Sequence, residues 1–181
     1  MKRFLNFLSM FNTRSDKVSS TNLETSENIL IYKNYMEENI KWEDTVEFKF
    51  PIEGGRVIKV YDADTITIAS KLPYKDSPLY RFSVRLNGID TPEIKGKDIS
   101  EDEKTAAKIA RDYVSNLVFN KIIRLENICN EKYGRILADV YIDDINLNEL
   151  LIKERYAVKY DGGTKKKPAS WLKYKLTGET N

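Results

Sequence analysis

Along this chain the spacing of apolar residues changes twice. Over residues 27–41, Ile29, Tyr32, Met36 and Ile40 recur every three or four positions, which predicts a helix with one adhesive face. After Trp42 the spacing falls to two, and 46–50, 56–61, 65–70 and 80–86 read as strands separated by turn signals at 51–55, 62–64 and 72–78. In the last of these runs Phe82, Val84 and Leu86 alternate with Arg81, Ser83, Arg85 and Asn87, so Arg85 is expected on the face opposite the apolar one. The helical period then returns. Ser100 followed by Glu103 is a capping-box signal for a helix reaching about Leu117, with Ala106, Ala110, Tyr113, Val114 and Leu117 on one side. Two more strands, 121–128 and 136–142, flank a loop containing Tyr133, Gly134 and Arg135, and 146–155 reads as a short helix.

Several short strands with one helix inserted late and another following predict an α+β fold: a small, five-stranded, partly open β-barrel of the oligonucleotide-binding type with packed helices and an N-terminal extension. With 181 residues, 41% of them hydrophobic, the chain can bury one core but hardly two. The expected organisation is a tail and linker at 1–26, a helical extension at 27–44, the barrel domain at 45–163 and a basic segment at 164–181.

Composition narrows the chemistry. The net charge of +2 conceals an asymmetry, because residues 153–181 carry eight Lys or Arg against three acids whereas 22–48 are acidic. A polyanionic partner would meet the later half. The absence of histidine excludes Ser-His-Asp and Cys-His nucleophile systems and the usual zinc sets. Acid–base work falls to carboxylates, Lys, Tyr or metal-bound water. The single Cys129 has no disulfide partner within the chain and is expected to be a buried, inert thiol. At the amino terminus, Lys2-Arg3 precedes Phe4, Leu5, Phe7, Leu8, Met10 and Phe11, but Asn6 and Ser9 interrupt the run, which is too short to span a membrane. A flexible tail is the expectation, with a secretion signal or a peripheral membrane anchor in 1–17 as alternatives and a cytoplasmic location favoured.

Three strings carry the candidate chemistry: Asp62-Ala63-Asp64-Thr65, then Arg85 leading to Asp90-Thr91-Pro92-Glu93, then Tyr133-Gly134-Arg135. Each has a plain reading as a turn, a chain reversal or a hairpin loop. Together they supply oxygen ligands for a hard cation and two guanidiniums suited to a phosphodiester. Tyr156, Tyr160, Lys165-Lys166-Lys167, Trp171 and Lys173 add an aromatic and basic mixture able to stack bases and follow a phosphate backbone, or equally to form a solvated tail.

In their order and local spacing these strings resemble the staphylococcal nuclease, or thermonuclease, family over about Gly55 to Gly163. The resemblance implies a five-stranded barrel with packed helices and a calcium-dependent nuclease that cuts DNA or RNA, endo- or exonucleolytically, to 3′-phosphate ends. It further implies Asp64, Asp90 and the Thr91 carbonyl as Ca2+ ligands, with Asp62 orienting bound water. Glu93 would be the general base or the residue that positions the water, and Arg85 and Arg135 the grip on the scissile phosphate. Tyr133, Tyr156, Tyr160 and Lys165 are candidate substrate contacts, and a monomer is expected. Ala63 departs from the glycine common in the family, and the 64–85 connection is longer. The competing expectation is a catalytically silent nucleic-acid-binding or scaffold barrel, which commonly lacks one of these acids or arginines.

Overall fold

The computed structural model describes residues 39–131 and 133–181; the reading of the tail and most of the expected 27–41 helix lie outside the described residues. The chain divides into two units, Met1–Glu47 and Phe48–Asn181. In the described part of the first, residues 39–41 are not helical, and Trp42–Asp44 form a single 3-10 turn closed by the Lys41 N–H on Asp44 Oδ2 (3.0 Å).

The second unit is built on a closed barrel. Its strands are β1 (Gly54–Val60), β2 (Thr65–Ser70), β3 (Tyr80–Leu86), β5 (Ile122–Asn130) and β6 (Ile136–Ile142), with short β4 (Ile89–Asp90), β7 (Ile145–Asn146) and β8 (Val158–Lys159) beside them. The sheet order is β3-β2-β1-β5-β6-β7, and a parallel pairing of β3 with β6 closes the ring. Three helices accompany it: α1 (Glu101–Val118), α2 (Leu147–Lys153) and α3 (Trp171–Thr177). This is the oligonucleotide-binding-type α+β barrel expected from the strand pattern. Among the described residues no helix is long and apolar enough to cross a membrane.

Alternation explains the core. Ile66 and Ile68, Val84 and Leu86, Ile123 and Leu125, and Ile136, Ala138 and Val140 all point inward, joined by Ala110, Val114 and Val118 of α1. Each fully buried Ile or Leu contributes roughly 1.5–3 kcal/mol relative to exposure. Ala63, which separates the two turn acids in sequence, belongs to this core. One buried polar side chain organises the closure. Asn148 in α2 accepts from Val140 N (3.0 Å) and donates to Asn87 O (2.7 Å) and Ala138 O (3.3 Å). The Asn87–Gly88 turn it supports has Gly88 at φ +72°, a conformation glycine adopts without steric cost.

Two expectations are corrected. Residues 46–50 form no strand: no ladder pairs them, and the Phe48 carbonyl is taken by the Asn130 side chain instead. Cys129 is exposed, not buried. The β5–β6 register shifts between Glu126 and Cys129, with Asn127 at φ +50°, and this bulge reverses the in–out parity set by Ile123 and Leu125. The thiol is thereby turned outward.

The basic carboxyl-terminal stretch is partly built into the fold. Ser170 caps α3, and Ser170 Oγ and Trp171 N both donate to the Asp102 carboxylate at the start of α1 (2.9 and 3.0 Å). Trp171 is only 3% exposed, so its indole packs as a core residue and offers no face to a base.

Candidate active site

Strand register assembles the site. In the β2–β3 ladder Thr65 lies opposite Arg85, so the acid just before Thr65 meets the guanidinium: Arg85 Nη1 is 2.5 Å from Asp64 Oδ2. The Leu86 N–H also donates to the Asp64 carbonyl (2.8 Å), fixing the turn to β3. Beyond the Asn87–Gly88 turn, β4 brings Asp90 back past the same strand end, and Arg85 Nη2 reaches the Ile89 carbonyl (3.3 Å) and Asp90 Oδ1 (3.7 Å). The β4–β8 pair, Asp90 opposite Val158, then carries the chain onward so that Tyr160 lies beside Arg85, 5.9 Å from guanidinium carbon to ring centre. A residue expected on the outward face, free to meet a ligand, is thus largely enclosed, its side chain 12% exposed between two acids.

The acids are buried as well. Asp62, Asp64, Asp90 and Thr91 are all among the buried polar residues, and Asp62 Oδ1 has no hydrogen-bond partner. Burial first, then the charge of Asp64, pushes the Asp62 carboxyl up to about 7. Burial also raises Asp90 above its ordinary value, against the pull of Lys165. For Arg85 burial acts to lower the pKa, but the charges of Asp64, Asp90 and Asp62 outweigh it and the net direction is up. Arg85 therefore stays charged.

Glu93 is half-buried, and its carboxylate meets Lys165 Nζ at 2.7 Å; the same ammonium lies 2.8 Å from Asp90 Oδ1. Arg135 enters from the β5–β6 hairpin, whose turn contains Gly134 at φ +74°. Its guanidinium is held by Glu131 through Nε and Nη2 (3.1 and 3.2 Å) and lies 5.8 Å from the Tyr133 ring centre. The bond from Arg135 draws the Glu131 carboxyl below its usual value, and Arg85 adds to that pull.

Other candidates lie elsewhere or are already engaged. The Tyr156 ring stacks on Tyr113 (4.3 Å between centres) and carries the Lys175 ammonium 3.7 Å above it. Lys173 pairs with Glu179 (2.8 Å) and Lys167 with Glu103 (2.8 Å). Tyr133 is 71% exposed at the hairpin tip. Tyr160, whose hydroxyl donates to the Gly163 carbonyl (3.0 Å), is the aromatic residue placed directly against the Arg85 cluster.

Two supporting acids escaped the reading of the sequence. Glu131 stands four residues before Arg135 across a turn, a spacing with no meaning unless the hairpin is known. Glu103 matched a capping box, and Ser100 does cap its N–H (3.1 Å), but the Glu103 carboxylate turns instead to the Glu93 N–H (3.3 Å) and to Lys167.

The donors gathered around Arg85 are all oxygens, which suits a hard cation rather than a soft one. Among the described residues no three carboxylate or thiol side chains stand close enough to enclose an ion by themselves. An ion at Asp64 and Asp90 would take its remaining ligands from main-chain oxygen, water and substrate, and the unpartnered buried oxygen of Asp62 is fitted to hold such a water.

Comparison with known proteins identifies the class. The family model described as staphylococcal nuclease homologue matches residues 83–175, and the chain belongs to that family. The matched span contains Arg85, Asp90, Glu93 and Arg135 but begins after the Asp62–Asp64 turn, which joins the site through the β2–β3 register. An uncharacterized endonuclease of Escherichia coli is 29% identical over 108 residues, covering 59% of this chain and 61% of its own length. A Haemophilus influenzae protein of the same description is 32% identical over 105 residues, covering 58% of this chain and 51% of its own. A probable endonuclease of Phaeosphaeria nodorum is 30% identical over 77 residues, 42% of this chain and 25% of its own length. The chain therefore spans less than two thirds of each of these relatives.

Proposed function

We propose that the protein is a nuclease that hydrolyses phosphodiester bonds of DNA or RNA with the help of calcium, leaving 3′-phosphate ends. The observation that carries this reading is the position of Arg85 between Asp64 (2.5 Å) and Asp90 (3.7 Å), with Glu93 three residues further on. The family and the endonuclease descriptions of its relatives supply the reaction class.

In this reading Asp64, Asp90 and the carbonyl of Thr91 hold the ion, and Asp62 orients a water beside it. Calcium, when bound, neutralises phosphate charge and draws water and substrate oxygen to one point. Glu93 accepts a proton from the attacking water, or positions that water, as a new P–O bond forms. The bond to the 5′ oxygen breaks, and that oxygen takes up a proton to leave as a hydroxyl. Arg85 and Arg135 offset the charge accumulating on the phosphoryl oxygens, a task that suits planar guanidiniums because they present paired N–H donors. Arg135 would exchange part of its bond with Glu131 for the phosphate.

A single-stranded DNA oligonucleotide incubated with the protein and calcium, followed by analysis of the cut ends, tests the proposal. Fragments ending in 3′-phosphate, absent with Asp64→Asn, support it. Fragments ending in 3′-hydroxyl, or cleavage by Asp64→Asn at the wild-type rate, would overturn it.

A further inference from the structure

The ammonium of Lys165 stands where the acids of the site converge. It is 2.8 Å from Asp90 Oδ1 and 2.7 Å from Glu93 Oε1, and neither the fold core nor the barrel strands supply it. It arrives on the stretch between β8 and α3, which is pinned on both sides. Tyr160 N donates to the Gly88 carbonyl (2.9 Å) before it, while Lys167 pairs with Glu103 and Ser170 and Trp171 bond to Asp102 after it. Between the pins lie Gly162, at φ +88°, and Gly163, whose N–H donates to Asp161 Oδ1 (3.0 Å) and whose carbonyl accepts from Tyr160, so the turn ahead of the lysine is itself held and any movement falls to the lysine side chain. The Lys165 side chain is 44% exposed, so a rotamer change suffices to withdraw it to solvent.

We propose that Lys165 is a tethered counter-ion that competes with the divalent cation for Asp90 and Glu93, and so sets the affinity of the site for its metal. The inference rests on the metal reading of Asp64 and Asp90 given above. With the lysine in place, one positive charge is shared by two buried or half-buried carboxylates, and one oxygen of Glu93 is already occupied by an ammonium. A divalent cation would add like charge a few ångströms from that ammonium, so the two exclude each other. The binding-competent form is the fraction of molecules with the lysine withdrawn, and apparent affinity falls by that fraction. A lysine seated in about nine molecules in ten weakens the ion roughly tenfold.

The test is calorimetric titration of calcium alone into the full chain, without nucleic acid, comparing wild type with Lys165→Gln and Lys166→Gln. Lys166 lines the neighbouring cleft with Asn87, Glu149 and Tyr160, so its variant removes the same charge one residue away. Circular dichroism and the melting temperature establish that each variant is folded. The expected result is calcium binding at least about tenfold tighter in Lys165→Gln, with a change of no more than about twofold in Lys166→Gln. Equal affinity in wild type and Lys165→Gln, weaker binding in Lys165→Gln, or equal tightening by both variants would overturn the role of the lysine while leaving the metal reading intact. No calcium binding by any folded variant would overturn the metal reading and this inference with it.

Discussion

The Glu103 carboxylate accepts a hydrogen bond from the backbone N–H of Glu93 at 3.3 Å. Glu103 is 4% exposed, and its other oxygen holds Lys167. A helix residue ten positions downstream thereby fixes the loop that presents the proposed general base. Replacing Glu103 with Gln keeps an acceptor for Glu93 and is expected to leave turnover within about threefold; Glu103→Ala leaves a partly buried N–H unpaired and costs about 1–3 kcal/mol of stability. Steady-state kinetics on an oligonucleotide should show the Ala variant losing kcat more than KM, with recovery in the Gln variant. A defect confined to KM would contradict a positioning role.

Arg85→Lys keeps the charge but not the fork that spans Asp64 and the Ile89–Asp90 segment. Cleavage should fall by about two orders of magnitude, the scale seen when one preorganised donor to a developing oxyanion is lost. Near-wild-type activity would show that charge alone is sufficient at this position.

Asn148 satisfies three main-chain groups on β6 and the β3–β4 turn from inside the fold. Asn148→Leu removes this partner from the Val140 N–H and the Asn87 carbonyl, while Ala138 O keeps the Asn87 N–H (2.9 Å), and is expected to destabilise the protein by about 2–4 kcal/mol, read by denaturant unfolding. Because that turn joins Arg85 to Asp90, cleavage should also fall in conditions where the variant remains folded.

Asp62 gives a signed dependence on pH. Its carboxyl is raised to about 7 in the fold from an ordinary value of 3.8. Between those values the folded protein holds a proton that the unfolded chain has released, so this group's contribution to stability is full below pH 4 and is lost as pH rises through 7. Asp62→Asn should abolish that slope and stabilise the metal-free protein at pH 8 by on the order of 2 kcal/mol. Unfolding measured at pH 5 and pH 8 in the presence of a chelator checks it; an unchanged pH slope in Asp62→Asn would contradict the assignment.

The strands and helices with strong periodicity are legible in the sequence itself. Helix α1 was readable from its Ser100 cap and alanine stripe, and β3 from its alternation, which correctly turned Arg85 away from the barrel interior. What the pattern does not encode is partnership. The two-residue strands β4, β7 and β8 exist only because of the chains beside them, and no local signal marks strands of that length. The Asn127 bulge that exposes Cys129 is likewise a property of the β5–β6 register.

The site shows the same division. Residue types and order pointed to Asp64, Arg85, Asp90 and Glu93 as a group, yet the contact between Asp64 and Arg85 depends on Thr65 pairing with Arg85 across two strands. In the sequence Lys165 stands out as part of a basic run and as a candidate substrate contact, not as a partner of the acids. Its approach to Asp90 and Glu93 follows from the β4–β8 pairing and the Asp102 clamp, neither of which has a signature in local sequence.

The most direct test of the central claim is hydrolysis of a single-stranded DNA oligonucleotide by wild type and Glu93→Gln, each with calcium, with a calcium chelator, and with calcium restored. The account requires wild-type cleavage that vanishes on chelation and returns with calcium, and a loss of roughly 10²–10⁴-fold in Glu93→Gln while calcium binding by that variant persists. Cleavage that survives the chelator, or a Glu93→Gln variant as fast as wild type, would contradict a metal-assisted attack by water activated at Glu93.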